Sequence, residues 1–235
     1  MSATEHLEKL RTTLNRVFDQ TISQGEISGQ SHYFSTCLFE VAQQLSDSDV
    51  SRILETVASQ LESANLFSAF GLYRQAFAAL RLALEMGLGS IYFSVNRLYL
   101  NEWLDGRQDI VWSKLINDDD GVLSVRYAKA FFPELTLEIA SVNKSAKRLY
   151  RELSEFVHGN YETWEASGLS IKYEPALRKQ YQDKCKETFD VILFALSCRH
   201  LKGLSESSLD KLDFIREEFN HIGPIREVFG GPGDI

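Results

Sequence analysis

Arg151 and His158 stand seven residues apart in the run Arg-Glu-Leu-Ser-Glu-Phe-Val-His. Seven residues are almost two turns of an α-helix, so the two side chains project within about 20° of each other. A guanidinium is permanently charged and matches the oxygens of a phosphate, and an imidazole exchanges a proton near neutral pH. Held side by side they can neutralise a phosphodiester and move a proton, which is the minimum chemistry of RNA cleavage. Ser154 and Glu155 fall between them on the same side. The Ser154 hydroxyl could bond a phosphate or the imidazole. Glu155 could orient His158, or pair with Arg151 at the i, i+4 spacing and compete with RNA for it.

The element that must position these groups is legible around them. Leu135, Ile139, Val142, Ala146, Leu149, Leu153 and Phe156 form an apolar stripe at helical spacing that runs up to Gly159, a residue suited to the position just past a helix end. At 100° per residue, Leu153 and Phe156 lie within about 40° of Leu149, whereas Arg151 and His158 lie about 160–180° away. Both should therefore point away from their own core. The carboxyl end of a helix also favours positive charge beside His158. A polar face opposite an apolar stripe is equally what an ordinary amphipathic surface helix shows.

Helical spacing dominates elsewhere. Leu7, Leu10, Leu14, Val17 and Phe18 mark a first helix opened by a Ser2 to Glu5 capping box, and Phe34, Cys37, Leu38, Val41, Ala42 and Leu45 mark a second. Val50, Ile53, Leu54, Val57 and Leu61 follow cap residues at Ser46 to Asp49, and Gly71 separates them from a stretch, Leu72 to about Tyr99, that is apolar almost all round. Pro133 suits a first helical turn, and helical spacing returns from Pro175 to about Leu201. Leu169, Ile171 and Tyr173 alternate over too short a run to define a sheet. The expectation is an all-α bundle over residues 46–203, with N-terminal helices in 1–45 packed on the bundle or covering the site. A C-terminal helix in 204–229, a flexible tail at 230–235 and minor β content at most complete it.

Composition bounds the class. The chain has 235 residues, 44% of them apolar, enough for one substantial core. Three cysteines, Cys37, Cys185 and Cys198, are an odd number with no C-x-x-C spacing, which argues against a disulfide framework or zinc knuckle and for a reducing compartment. The N-terminus does not resemble a secretory signal, and Arg74, Arg81, Glu85 and Arg97 interrupt the most apolar long run, so no membrane span and a cytoplasmic location are expected. A net charge of −8 excludes broad coating of nucleic acid, leaving only a local basic patch. No Gly-rich phosphate loop or Gly-x-Ser-x-Gly elbow occurs. Asp118, Asp119 and Asp120 read as a solvated turn, and Cys198 and His200 point about 200° apart on a helix, so neither metal nor cofactor is expected.

The stretch from Leu149 to Gly159, together with the upstream stretch from Glu62 to Glu85 with its Gly-Leu-Tyr-Arg-x-Ala and Leu-Arg-x-x-Leu-Glu runs, resembles the HEPN superfamily. Members are all-α bundles in which one helix carries Arg, four to six intervening residues and then His; the gap here is six, and the resemblance spans roughly residues 50–200. It implies a metal-independent endoribonuclease, in toxin or phage-defence systems, whose two motifs meet across a homodimer and which a protein partner holds in check or activates. It further implies that His158 handles a proton while Arg151 neutralises the phosphate, and that Arg81 or Glu85 on the preceding core helix reaches the cleft. Active members often carry Asn, Asp or His after the Arg, whereas this chain carries Glu152. The competing expectation is a non-catalytic protein-interaction module, or a scaffold subunit that binds RNA without cutting it.

Overall fold

The computed structural model describes residues 1–23, 29–158 and 171–233, and its regular elements there are all helical. α1 (Ala3–Ser23) opens as the capping box predicts: the Ser2 N–H donates to Glu5 Oε2 at 2.6 Å and the Glu5 N–H to Ser2 Oγ at 3.2 Å. Within α1 only Val17 and Thr21 are buried, and Phe18 stacks on Phe70 at 4.8 Å, so this helix lies on the outside of the core. α2 (Gly29–Gln44) packs along α3 (Ser48–Ala69), whose first N–H groups, those of Asp49 and Val50, donate to the Asp47 carboxylate.

Gly71 ends α3 and allows the chain to reverse. Its φ of +73° is left-handed, its N–H bonds Ser68 O at 3.1 Å, and the Leu72 N–H bonds Phe67 O at 2.8 Å. These are the paired bonds of a Schellman closure. A Cβ here would sit 2.5 Å from Lys172 O, so glycine is required by both conformation and space.

α4 (Tyr73–Phe93) is the core helix. It packs against α3, α8 (Ile139–His158) and α9 (Pro175–His200), which explains why its sequence is apolar on most sides. It is long and apolar enough to cross a membrane, but 67% of that apolar window is buried inside this fold. Gly87 lets α9 approach: a Cβ there would meet Ile192 carbons at 2.7 Å. The helix is shorter than the apolar run suggested. It stops at Ser94, whose hydroxyl bonds Ile91 O, and α5 (Arg97–Leu104) starts afresh after Asn96. α6 (Trp112–Leu115) and α7 (Val125–Phe131) follow, and Pro133 heads a 3-10 turn, Pro133–Leu135, ahead of α8.

Among the described residues no strand forms; Ile171 and Tyr173 lie in irregular chain, and Leu169 and Gly159 fall outside the described residues. Segment 204–229 holds short pieces in place of one helix: α10 (Glu206–Leu209), a 3-10 turn (Asp210–Leu212), α11 (Phe214–Glu218) and α12 (Gly223–Val228). Bending the chain lets Leu212, Ile215, Phe219, Ile222 and Ile225 all reach the core, and Pro224 sits at the first turn of α12. In the tail, Pro232 O and Gly233 O accept hydrogen bonds from Arg226 at 3.0 and 2.9 Å. All three cysteines are free and buried.

His200, at the end of α9, is mostly buried, and its Nε2 has no hydrogen-bond partner among the described residues. Burial first, and the Arg199 charge second, push its pKa down to about 4, while Asp47 pulls the other way. The unfolded chain therefore takes up this proton below about pH 6.5 and the folded chain only near pH 4. Stability contributed by neutral His200 is complete above pH 6.5 and is lost as pH falls toward 4. Urea midpoints measured from pH 7 to 4 should fall more steeply for the natural chain than for His200→Gln, by on the order of 2 kcal/mol across the window. Parallel curves would contradict this.

Candidate functional site

α8 presents its stripe inward: Ile139, Ala146, Leu149, Leu153 and Phe156 are buried, and Arg151 and His158 face out, as the angular argument required. Phe156 stacks on Phe77 of α4 at 3.9 Å, which fixes the end of α8 against the first half of the core helix. One turn after Phe77, Arg81 emerges beside His158.

Among the described residues, the polar partner of His158 comes from that neighbouring helix. Arg81 Nη1 lies 3.1 Å from His158 Nε2, across 77 residues of sequence. A guanidinium can only donate, so in this arrangement Nε2 accepts and the ring proton sits on Nδ1. Arg81 Nη2 donates to the Tyr150 hydroxyl at 2.7 Å and lies 3.4 Å from Glu85 Oε1, an ion pair at the i, i+4 spacing. The guanidinium carbon also sits 4.7 Å from the centre of the Tyr150 ring, and Trp112 stacks on the other side of this assembly with its ring 4.0 Å from that of Tyr150. Burial, then the Glu85 carboxylate, raises the Tyr150 pKa, so this phenol stays protonated at neutral pH. Arg74 adds a further cation at the same place, donating to Val157 O at 3.2 Å near the carboxyl end of α8.

Arg151 is placed differently. Its side chain is 85% exposed and lies 4.0 Å from Glu155 Oε1, the competing pairing anticipated for Glu155. Among the described residues Arg151 and His158 share a face of α8 without bonding each other. Ser154 donates its hydroxyl proton back to Tyr150 O at 2.6 Å, so in this arrangement it addresses its own helix. Glu152 turns the other way, toward α9, where it pairs with Lys184 and lies 3.8 Å from Arg148. Arg148 and Lys184 both also pair with Glu187, completing a four-residue network between the two helices. Glu152 thus holds α8 to α9.

Sequence reasoning missed Tyr150 and Trp112. Tyr150 follows Leu149 at the edge of the apolar stripe, and only its contact with α4 distinguishes it from an ordinary flanking aromatic. Elsewhere, Asp118 pairs with Lys147 at 2.8 Å, and the N–H groups of Asp119 and Asp120 donate to Asn117, making the acidic run a tied turn. No group of His, Cys, Asp and Glu among the described residues has the arrangement of a metal site.

The arrangement offers one imidazole in contact with a guanidinium, and two further guanidinium groups nearby, on an exposed surface. Such a constellation can bind a phosphodiester and accept a proton. No protein-family model, curated protein or solved structure matches the chain.

Proposed function

We propose that this chain is a metal-independent endoribonuclease of the HEPN type, in which Arg81, Arg151 and His158 form a composite site completed by a second copy of the chain. The observation that carries the reading is the 3.1 Å contact between Arg81 Nη1 and the exposed His158 Nε2. It gives the imidazole a cation that periodicity along α8 alone does not supply.

The chemistry follows from donor and acceptor roles. An incoming phosphodiester offers oxygens that compete for the Arg81 N–H groups, and Arg81 leaving Nε2 frees the lone pair on that nitrogen. The freed Nε2 removes the proton from the RNA 2′-hydroxyl, whose oxygen attacks the adjacent phosphorus. The P–O5′ bond breaks, the 5′-oxygen takes up a proton, and the product carries a 2′,3′-cyclic phosphate. Arg81 and Arg151 neutralise the charge that builds on the non-bridging oxygens. A twofold pairing of α8 faces would bring two Arg151 and two His158 side chains together, concentrating positive charge on a chain whose net charge is −8. A protein partner that covers this face would restrain the activity.

The test is cleavage of total RNA and of tRNA in EDTA by the natural chain and by folded His158→Ala. Cleavage by the natural chain alone, leaving cyclic-phosphate ends, is the expected result; loss should be about 10²–10⁴-fold, the usual worth of a positioned proton-transfer group. Equal inactivity of both proteins, as dimers, would replace the enzyme with the non-catalytic interaction module. Salt-dependent binding of RNA without cleavage would replace it with the scaffold reading.

A further inference from the structure

Thirteen residues beyond Arg81, just past the carboxyl end of α4 and about 20 Å away by helical rise, the chain forms a separate, partly open pocket of about 480 Å³. The ends of α4 and α9, the turn before α3 and the 201–208 segment form its wall. Arg199 is its central cation. Arg199 Nε donates to Ser94 Oγ at 2.9 Å, and its guanidinium carbon lies 4.4 Å from the centre of the Phe131 ring. These two contacts fix the plane of the fork. The only hydrogen bond of this side chain among the described residues is that through Nε, so the terminal nitrogens of the half-buried guanidinium remain open to the pocket. A guanidinium held in this way is prepared for bidentate contact with a phosphate, and little rotamer freedom remains to be lost on binding.

The other charges near the cavity are already matched. Lys202 pairs with Glu134 at 2.5 Å, and Asp47 pairs with Arg97 at 2.8 Å. Among the described residues Arg199 is therefore the cation of the wall without a carboxylate partner, and an anion could occupy that place. The Ser205 hydroxyl caps α10 and donates to Ser208 Oγ at 3.1 Å, which leaves the Ser208 hydroxyl proton able to supply a further hydrogen bond. His200 also lines the cavity, and its Nε2 lacks a partner. The volume is several times what a bare phosphate fills, and the remaining wall mixes the amide of Gln44 with apolar Leu45 and Leu204. That combination fits a flat, partly polar ring system attached to a single phosphate.

We infer that this cavity binds a nucleoside monophosphate, with the phosphate on Arg199 and the nucleoside against the Gln44, Leu45 and Leu204 wall. The inference is independent of the ribonuclease reading, because Arg199 meets Ser94 just past the carboxyl end of α4, whereas His158 meets Arg81 in its first half.

Isothermal titration of the natural chain with AMP, GMP, CMP and UMP, and with adenosine and inorganic phosphate as partial probes, tests it. At least one monophosphate should bind with a dissociation constant of roughly 10–100 µM, and both partial probes should bind at least about tenfold more weakly. Arg199→Gln should weaken binding about 10–100-fold. A second variant guards against misfolding. Gly203 lines the cavity, and a Cβ there meets nothing within 4 Å, so Gly203→Phe narrows the space without crowding the core. It should block binding while leaving the circular dichroism unchanged. Absence of binding by all four monophosphates overturns the inference. Equal affinity for phosphate and AMP overturns the nucleoside part, and binding untouched by both variants overturns the location.

Discussion

On the proposed ribonuclease reading, replacing Arg81 with Met should lower RNA cleavage about 10²–10³-fold, the usual cost of removing one preorganised donor to a developing charge. The loss should fall mainly on kcat, because Arg151 and Arg74 remain to attract the phosphate backbone. Arg81 is held by Tyr150 and Glu85 as well as by His158, so its position is set before substrate arrives. Tyr150→Phe removes the hydroxyl that accepts from Arg81 but keeps the ring that stacks on Trp112. Its expected loss is about tenfold, consistent with a positioning role worth on the order of 1 kcal/mol. Because Tyr150 acts through Arg81, the double variant should be no worse than Arg81→Met alone, a non-additivity that a merely structural role would not produce. Single-turnover rates on a short RNA measure all three. Full activity in Arg81→Met together with inactivity in Arg151→Ala would assign the catalytic guanidinium to Arg151 and remove Arg81 from the site.

Phe77→Ala should cost about 3–5 kcal/mol of stability. Phe77 is fully buried, stacks on Phe156 at 3.9 Å and meets Tyr181 of α9 edge-on at 6.4 Å, so one ring joins three helices. Its place in the chain adds a second consequence. Phe77 precedes Arg81 by one turn and Phe156 precedes His158 by two residues, so the stack sets the register in which the guanidinium meets the imidazole. Chemical denaturation should show the stability loss. At a temperature where the variant is still folded, cleavage should fall further than the folded fraction alone requires. A loss of less than about 1 kcal/mol would mean that neighbouring side chains refill the space, against the packing described.

The helical class was legible because buried residues recur at the helical period: Leu149, Leu153 and Phe156 face the core as their spacing requires, and Gly71 closes α3 where a glycine was expected to break it. The boundaries within apolar runs were less legible. Nothing in composition separates Phe93 from Tyr99, and the break depends on Ser94 and Asn96 bonding backbone carbonyls of the preceding turn. At the site, the shared face of Arg151 and His158 could be computed from spacing. From the residues alone Arg81 is one of four charges interrupting an apolar run, and its approach to the cleft came only from the family resemblance. The reason is that periodicity describes one helix at a time. Contact between Arg81 and His158, like that between Glu152 and Lys184, depends on which helices become neighbours and at what height.

The three cysteines have a practical consequence. Each is shielded from solvent, and burial raises the thiols of Cys37 and Cys185 to about 11 and that of Cys198 to about 12, so almost none is ionised at neutral pH. The natural chain should thus react only slowly with maleimides and disulfide reagents while folded. One cysteine introduced at an exposed position such as 151 would be the dominant reactive thiol without any need to remove the others. A spin label or cross-linker placed there would report how close two α8 faces come in solution.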